Sequence, residues 1–156
     1  MIKRNLLIII LCWMCQTLVS AQDDFLTERR AVKADGYPFW VYTPKDYAAY
    51  KEITPLIIFL HGASLRGTDM DKVLKYGPLD AVKMGLEIPA LIVAPQNPKG
   101  HWHVQKLNDI FEWMKKHYVF NPWRVYAIGM SLGGYGTLDF AGAYPDKIAA
   151  AIALCG

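Results

Sequence analysis

The sequence predicts an α/β domain, a mostly parallel sheet with helices on both faces. Three observations carry that expectation. Continuous apolar runs at Leu56–Leu60 and 90–94 have the pattern of strands buried on both sides, and 124–128 makes a further strand. Leu107, Ile110, Phe111, Met114 and Tyr118 repeat at helical spacing between two of those runs, marking one face of an amphipathic helix. Strand-like and helix-like segments alternate along most of the chain, which favours parallel pairing with helices layered on the sheet. With 156 residues, 53% hydrophobic and 20% charged, the chain suits one globular domain with a sizeable core. It holds neither an internal repeat nor an interdomain linker.

The first 21 residues stand apart from the fold. Lys3 and Arg4 precede the apolar run from Leu6 to Met14, and Val19-Ser20-Ala21 follows. That order of charged, apolar and small residues predicts a secretory signal peptide over 1–21, cleaved after Ala21, with one globular domain over 22–156. The run is too short to span a bilayer. Leu11 and Met14 precede Cys12 and Cys15, where a lipoprotein signal would place small residues. Losing Lys3 and Arg4 takes the formal charge from +3 to +1, so no nucleic-acid partner is expected, and no membrane partner after cleavage. Cys155 is then the lone cysteine, excluding an internal disulfide and any Cys-x-x-Cys metal pattern.

Along the mature part, 30–33 and Phe39–Tyr42 flank Asp35-Gly36 and predict an antiparallel hairpin. Leu56–Leu60 follows Pro55 as a buried strand. Met70, Val73 and Leu74 have helical spacing up to Gly77-Pro78, and Pro78 opens a short helix ended by Gly85. The strand at 90–94 ends at Pro95. The amphipathic helix carries Lys115 and Lys116 near its C-terminus. A strand at 124–128, a helix from Leu132 to about Ala143 and a strand at 148–154 complete the order.

The chemistry centres on Gly129-Met130-Ser131-Leu132-Gly133. The expected sharp turn between strand and helix forces Ser131 into strained backbone geometry, and side chains two positions away would collide. Glycines at 129 and 133 remove them, and Gly134 allows close helix packing. Ser131 then reads as a nucleophile, against the plainer reading of a serine in a glycine-rich turn. The N–H of Leu132 lies at a helix N-terminus, aimed at developing negative charge. A second donor is expected from the loop after Leu56–Leu60, where His61-Gly62-Ala63-Ser64 places the Ala63 N–H.

At these residues the chain resembles the α/β-hydrolase superfamily, most closely its secreted esterase and "predicted peptidase" branch, near feruloyl-esterase-like, acetylxylan-esterase-like and polyhydroxybutyrate-depolymerase-like enzymes. PLIIFLHGASLRG, ALIVAPQ, the Trp102 region and RVYAIGMSLGGYGTLDFAGAYPDKIAAAIALCG carry the likeness. The resemblance implies an α/β-hydrolase fold and ester hydrolysis through an acyl-enzyme on Ser131, with no cofactor. The substrate expected is a small-molecule or polysaccharide-linked ester met outside the cell or in the periplasm. His61 and Trp102 are expected to border the substrate. For His61 the alternative is a purely loop-shaping role, and for Trp102 packing on the sheet edge. Ser64 stands where these enzymes often carry glycine, and Leu132 where methionine is common.

Such a serine needs a histidine base and a carboxylate, which in this fold follow it in sequence. After Ser131 the chain contains Asp139 and Asp146 and no histidine. Asp139 lies roughly 12 Å along the helix at about 1.5 Å per residue, and Asp146 is expected at the opposite end of the sheet. His117 reads as a solvated helix-terminal residue. His101 and His103 lie beyond a strand's C-terminal end, but no third metal ligand accompanies them. The segment is therefore expected to be the N-terminal portion of an esterase, lacking its C-terminal strands and inactive alone. A serine peptidase and a non-catalytic, degenerate hydrolase are the alternatives.

Overall fold

The computed structural model describes residues 25–156; the expected signal peptide and its cleavage site lie outside them. Six strands form one sheet in the order β1-β2-β4-β3-β5-β6. They are β1 (Leu26–Arg29), β2 (Phe39–Tyr42), β3 (Leu56–Leu60), β4 (Leu91–Pro95), β5 (Val125–Met130) and β6 (Ala150–Leu154). Strands β4, β3, β5 and β6 run parallel, while β1 and β2 add antiparallel at one side. Among the described residues four α-helices accompany them: α1 (Tyr47–Tyr50), α2 (Gly77–Lys83), α3 (Val104–His117) and α4 (Leu132–Ala143).

Alternation along each strand divides the core in two. Leu56, Ile58 and Leu60 of β3, with Leu91 and Val93 of β4, meet Leu107, Ile110, Phe111 and Met114 of α3 and Phe140 of α4. The opposite face gathers Phe59, Ile92 and Ala94 with Val73, Leu74 and Leu79. Because odd and even side chains are both buried, β3 and β4 read as unbroken apolar runs rather than alternating ones. The predicted helical face of α3 is the buried face observed.

Two local expectations change. The first hairpin strand is Leu26–Arg29 rather than 30–33, in register Leu26↔Tyr42 and Arg29↔Phe39. The Asp35-Gly36 signal marks a turn closed by Gly36 N–H to Lys33 O at 2.9 Å, but that turn sits inside a longer connection. Met70–Lys75 is a 3-10 helix with Asp69 accepting from the Asp71 N–H at its start. It stops where Gly77 takes a φ of 70° against the Phe59 ring, which a Cβ at 77 would meet at 2.4 Å.

Candidate active site

The end of β5 and the start of α4 are joined by Ser131 alone, with φ 53° and ψ −120°. A non-glycine residue there costs of order 1–3 kcal/mol and persists only where its surroundings fix it. Its N–H donates to Leu154 O of β6 at 2.7 Å, and its carbonyl accepts from Tyr135 N–H at 3.2 Å. A Cβ on Gly129 would lie 2.1 Å from Gly133 O, and one on Gly133 would lie 1.9 Å from Leu60 O. Both glycines are thus required by backbone meeting backbone. Gly134 is looser, its Cβ position lying 3.1 Å from Gly156 Cα.

Ser131 occupies the N-cap position of α4, where a serine normally accepts a hydrogen bond from the second or third helical N–H. Its side chain makes no such bond. The strained turn lifts the hydroxyl away from the helix, and the residue is exposed. The same helix start leaves the Leu132 N–H without an intrahelical acceptor.

The loop after β3 lies against this turn. A Cβ on Gly62 would lie 3.3 Å from Met130 O and 3.6 Å from Ser131 Cβ, so the loop backbone sits close against the serine turn and a side chain at 62 would crowd it. Ala63–Leu65 forms a short 3-10 turn closed by Leu65 N–H to Gly62 O. His61 is completely buried, with its Nε2 accepting from the Asn97 N–H at 3.0 Å. That bond leaves Nδ1 as the protonated nitrogen, donating to Gly62 O at 2.8 Å. Burial holds the imidazole pKa below its usual value, and so keeps it neutral. In a trans peptide the N–H points opposite to the C=O, so the Ala63 N–H is turned away from the His61 ring.

Trp102 is 4% exposed. Its indole donates to His61 O at 3.3 Å and meets the His61 and Tyr37 rings edge-on. Gly136 of α4 makes room for it, since a Cβ there would fall 2.6 Å from the ring. His61 and Trp102, expected to border the substrate, are thus both buried at the base of this loop. Each packs on the other, and His61 bonds to the loop. The sequence signal for this was Gly136, a helical glycine whose missing side chain accommodates the indole.

The remaining candidates are not drawn to Ser131. His101 and His103 are exposed beyond β4. His117 stacks on Trp113 at 4.0 Å and bonds to its carbonyl. Asp139 and Asp146 are exposed, on α4 and in the turn after it. Among the described residues no cluster of three potential metal ligands occurs. A cavity of about 820 Å³ lies between β1, β2 and α2, lined by Trp40, Tyr42 and Leu74 among others, and contains none of the candidate residues.

Parallel strands with antiparallel β1 and β2 at one side, helices on both faces and a strained serine at the β5–α4 step decide the architecture. The fold is that of the α/β-hydrolases. Among solved structures it resembles a thermostable esterase, with 26% identity and a TM-score of 0.67 over 86% of this chain and 42% of that one. It is also similar to an acetyl xylan esterase from Aspergillus awamori (19%, TM-score 0.62, 81% and 50% of the two chains). A feruloyl esterase module from Clostridium thermocellum matches at 15% and TM-score 0.60, over 82% and 52%. No family model and no curated protein sequence matches the chain. The chain spans about half the length of these α/β-hydrolase structures.

Proposed function

We propose that the chain carries the nucleophile and oxyanion site of a serine-dependent carboxylic ester hydrolase. The observation supporting it most is the uncapped Ser131 hydroxyl at φ 53° between β5 and α4. A serine with only a structural role would cap the helix; this one is strained into a position that prevents it. Ser131 Oγ attacks the ester carbonyl carbon while a histidine takes its proton. The N–H groups of Leu132 and Ala63 hold the negative oxygen of the tetrahedral intermediate. Collapse breaks the ester C–O bond as the histidine gives its proton to the departing alkoxide, leaving the acyl group on Ser131. Water, deprotonated by the same histidine, then attacks that ester, and Ser131 Oγ leaves with the proton.

This reading requires a histidine base and a carboxylate that follow the serine in sequence, in the order serine, acid, histidine. The charged, apolar and small-residue order over 1–21 supports a periplasmic or extracellular location for the enzyme. Esters linked to carbohydrate or polymer are the substrate class proposed, since the similar structures include an acetyl xylan and a feruloyl esterase. Ester rather than amide cleavage is favoured because an alkoxide leaves more readily than an amine.

The test is hydrolysis of p-nitrophenyl acetate by the full gene product and by its Ser131→Ala variant. Loss of a triad serine costs up to about 10⁶-fold in kcat, so the variant should fall to background. Undiminished turnover would refute the proposal. A gene product that is folded but inactive in both forms favours the non-catalytic alternative.

A further inference from the structure

The loop bearing Ala63 is held from the neighbouring strand as well as by its own turn. β4 runs into Gln96 and Asn97, both completely buried. The Gln96 amide nitrogen donates to Leu65 O at 2.8 Å and to Gly67 O at 2.9 Å. Asn97 gives its N–H to His61 Nε2 at 3.0 Å and accepts from the Gly67 N–H at 3.2 Å. These bonds seize the loop at His61, before Gly62, and at Leu65 and Gly67, beyond the 3-10 turn. Between the two attachments lies the Gly62–Ala63 peptide. Its carbonyl is fixed by His61 Nδ1–H and Leu65 N–H.

We infer that Gln96 is a positioning residue for the oxyanion site, acting through the loop to keep the Ala63 N–H aimed beside Ser131. The inference rests on the serine-esterase reading and deepens it. Glutamine suits the task because one NH₂ group offers two donors to two carbonyl oxygens. Its orientation follows from those partners, since an amide oxygen placed there would face two acceptors. Its own Oε1 has no hydrogen-bond partner among the described residues, so every bond the side chain makes goes to this loop. Gln96 never touches substrate. A change there should therefore act on the transition state, where the oxyanion forms, and leave ground-state binding almost alone.

The experiment compares kcat and KM for p-nitrophenyl acetate in the full gene product and in its Gln96→Met and Gln96→Glu variants, with Ser131→Ala as control. All are normalised to folded protein by circular dichroism. Methionine keeps the length and removes both donors, so kcat should fall about 10- to 100-fold with KM within about threefold. That is below the 10²–10³ typical of deleting an oxyanion donor outright, because the N–H remains but loses its aim. Glutamate adds a pH readout. Burial and the facing carbonyls raise its carboxyl pKa, and the protonated form regains one donor. Its kcat relative to the parent should accordingly rise as pH is lowered from 8 to 6.

If folded Gln96→Met keeps kcat within twofold while Ser131→Ala is inactive, the inference fails and the esterase reading stands. If Ser131→Ala retains turnover, the esterase reading itself fails. A flat ratio for Gln96→Glu contradicts the inference. Insolubility of both Gln96 variants does too, since it would make the residue a determinant of stability rather than of aim.

Discussion

Strands β4 and β6 have nearly the same chemistry and opposite surroundings. LIVAP in β4 is buried at every position, while AAIAL in β6 is exposed at four of its five. β4 is paired on both edges, by β2 and β3, and covered on both faces. β6 pairs with β5, and among the described residues its other edge has no partner. Apolar sequence supplies the capacity for burial, and neighbouring elements confer it. Ser131 sits at the boundary between these regimes. On one side Gly62 and the loop after β3 press against its turn, and on the other Leu154 of exposed β6 accepts its N–H. The oxyanion side of the proposed site is thus built on packed structure, and the β6 side is the more exposed among the described residues.

The largest effect should come from adjacent glycines facing the two sides. Gly133→Ala drives a Cβ to 1.9 Å from Leu60 O, in a backbone pinned by β3 and α4. We expect a loss of roughly 3 kcal/mol or more, or failure to fold. Gly134→Ala meets Gly156 at 3.1 Å, and the gain in helix propensity of about 1 kcal/mol offsets much of that crowding. Its urea midpoint should stay close to the parent's. Equal costs for the pair would abolish the distinction between the two sides.

Next in size are matched truncations in the two strands. Ile92→Ala removes a fully buried side chain of β4 and should cost about 2–5 kcal/mol in urea unfolding. Ile152, at 51% exposure in β6, should cost under about 1 kcal/mol when truncated in the same way. A cost at Ile152 matching that at Ile92 would mean that β6 is covered in solution.

That comparison also explains what the sequence disclosed. β3, β4, β5, α3 and α4 were legible because burial on two faces, helical periodicity and the glycine-flanked turn each leave a local signal. The serine turn was readable to the residue, since Gly129 and Gly133 are demanded by backbone contacts five residues or fewer apart or by the next strand. The first hairpin strand was misplaced by four residues because its register comes from pairing with β2. Asp35-Gly36 marks a turn and says nothing of where the strands begin. The burial of His61 and Trp102 was hidden for a related reason. Their partners, Asn97 and Gly136, lie 36 and 34 positions away and meet them only in the folded sheet. The difference in burial between β4 and β6 leaves no mark in either sequence.

A smaller effect should appear with pH on the packed side. Burial lowers the His61 pKa from its ordinary 6.5, so the unfolded chain binds the proton more readily than the folded one. Its contribution to stability is full above pH 6.5 and is lost as pH falls from there through the folded-state value. Unfolding midpoints measured from pH 8 to pH 5 should therefore decline on acidification, and His61→Gln should flatten that part of the slope. An unchanged slope in the variant would show that His61 is not the group responsible.

The most direct measurement of the proposed chemistry is covalent labelling of the full gene product with a fluorophosphonate. An activated serine displaces fluoride from phosphorus through Oγ and retains the phosphonyl group. Peptide mass spectrometry should then find one stoichiometric adduct on Ser131, absent from Ser131→Ala and weakened in Gln96→Met. An adduct on another serine, or esterase turnover with Ser131 left unlabelled, would contradict the assignment of Ser131 as the nucleophile.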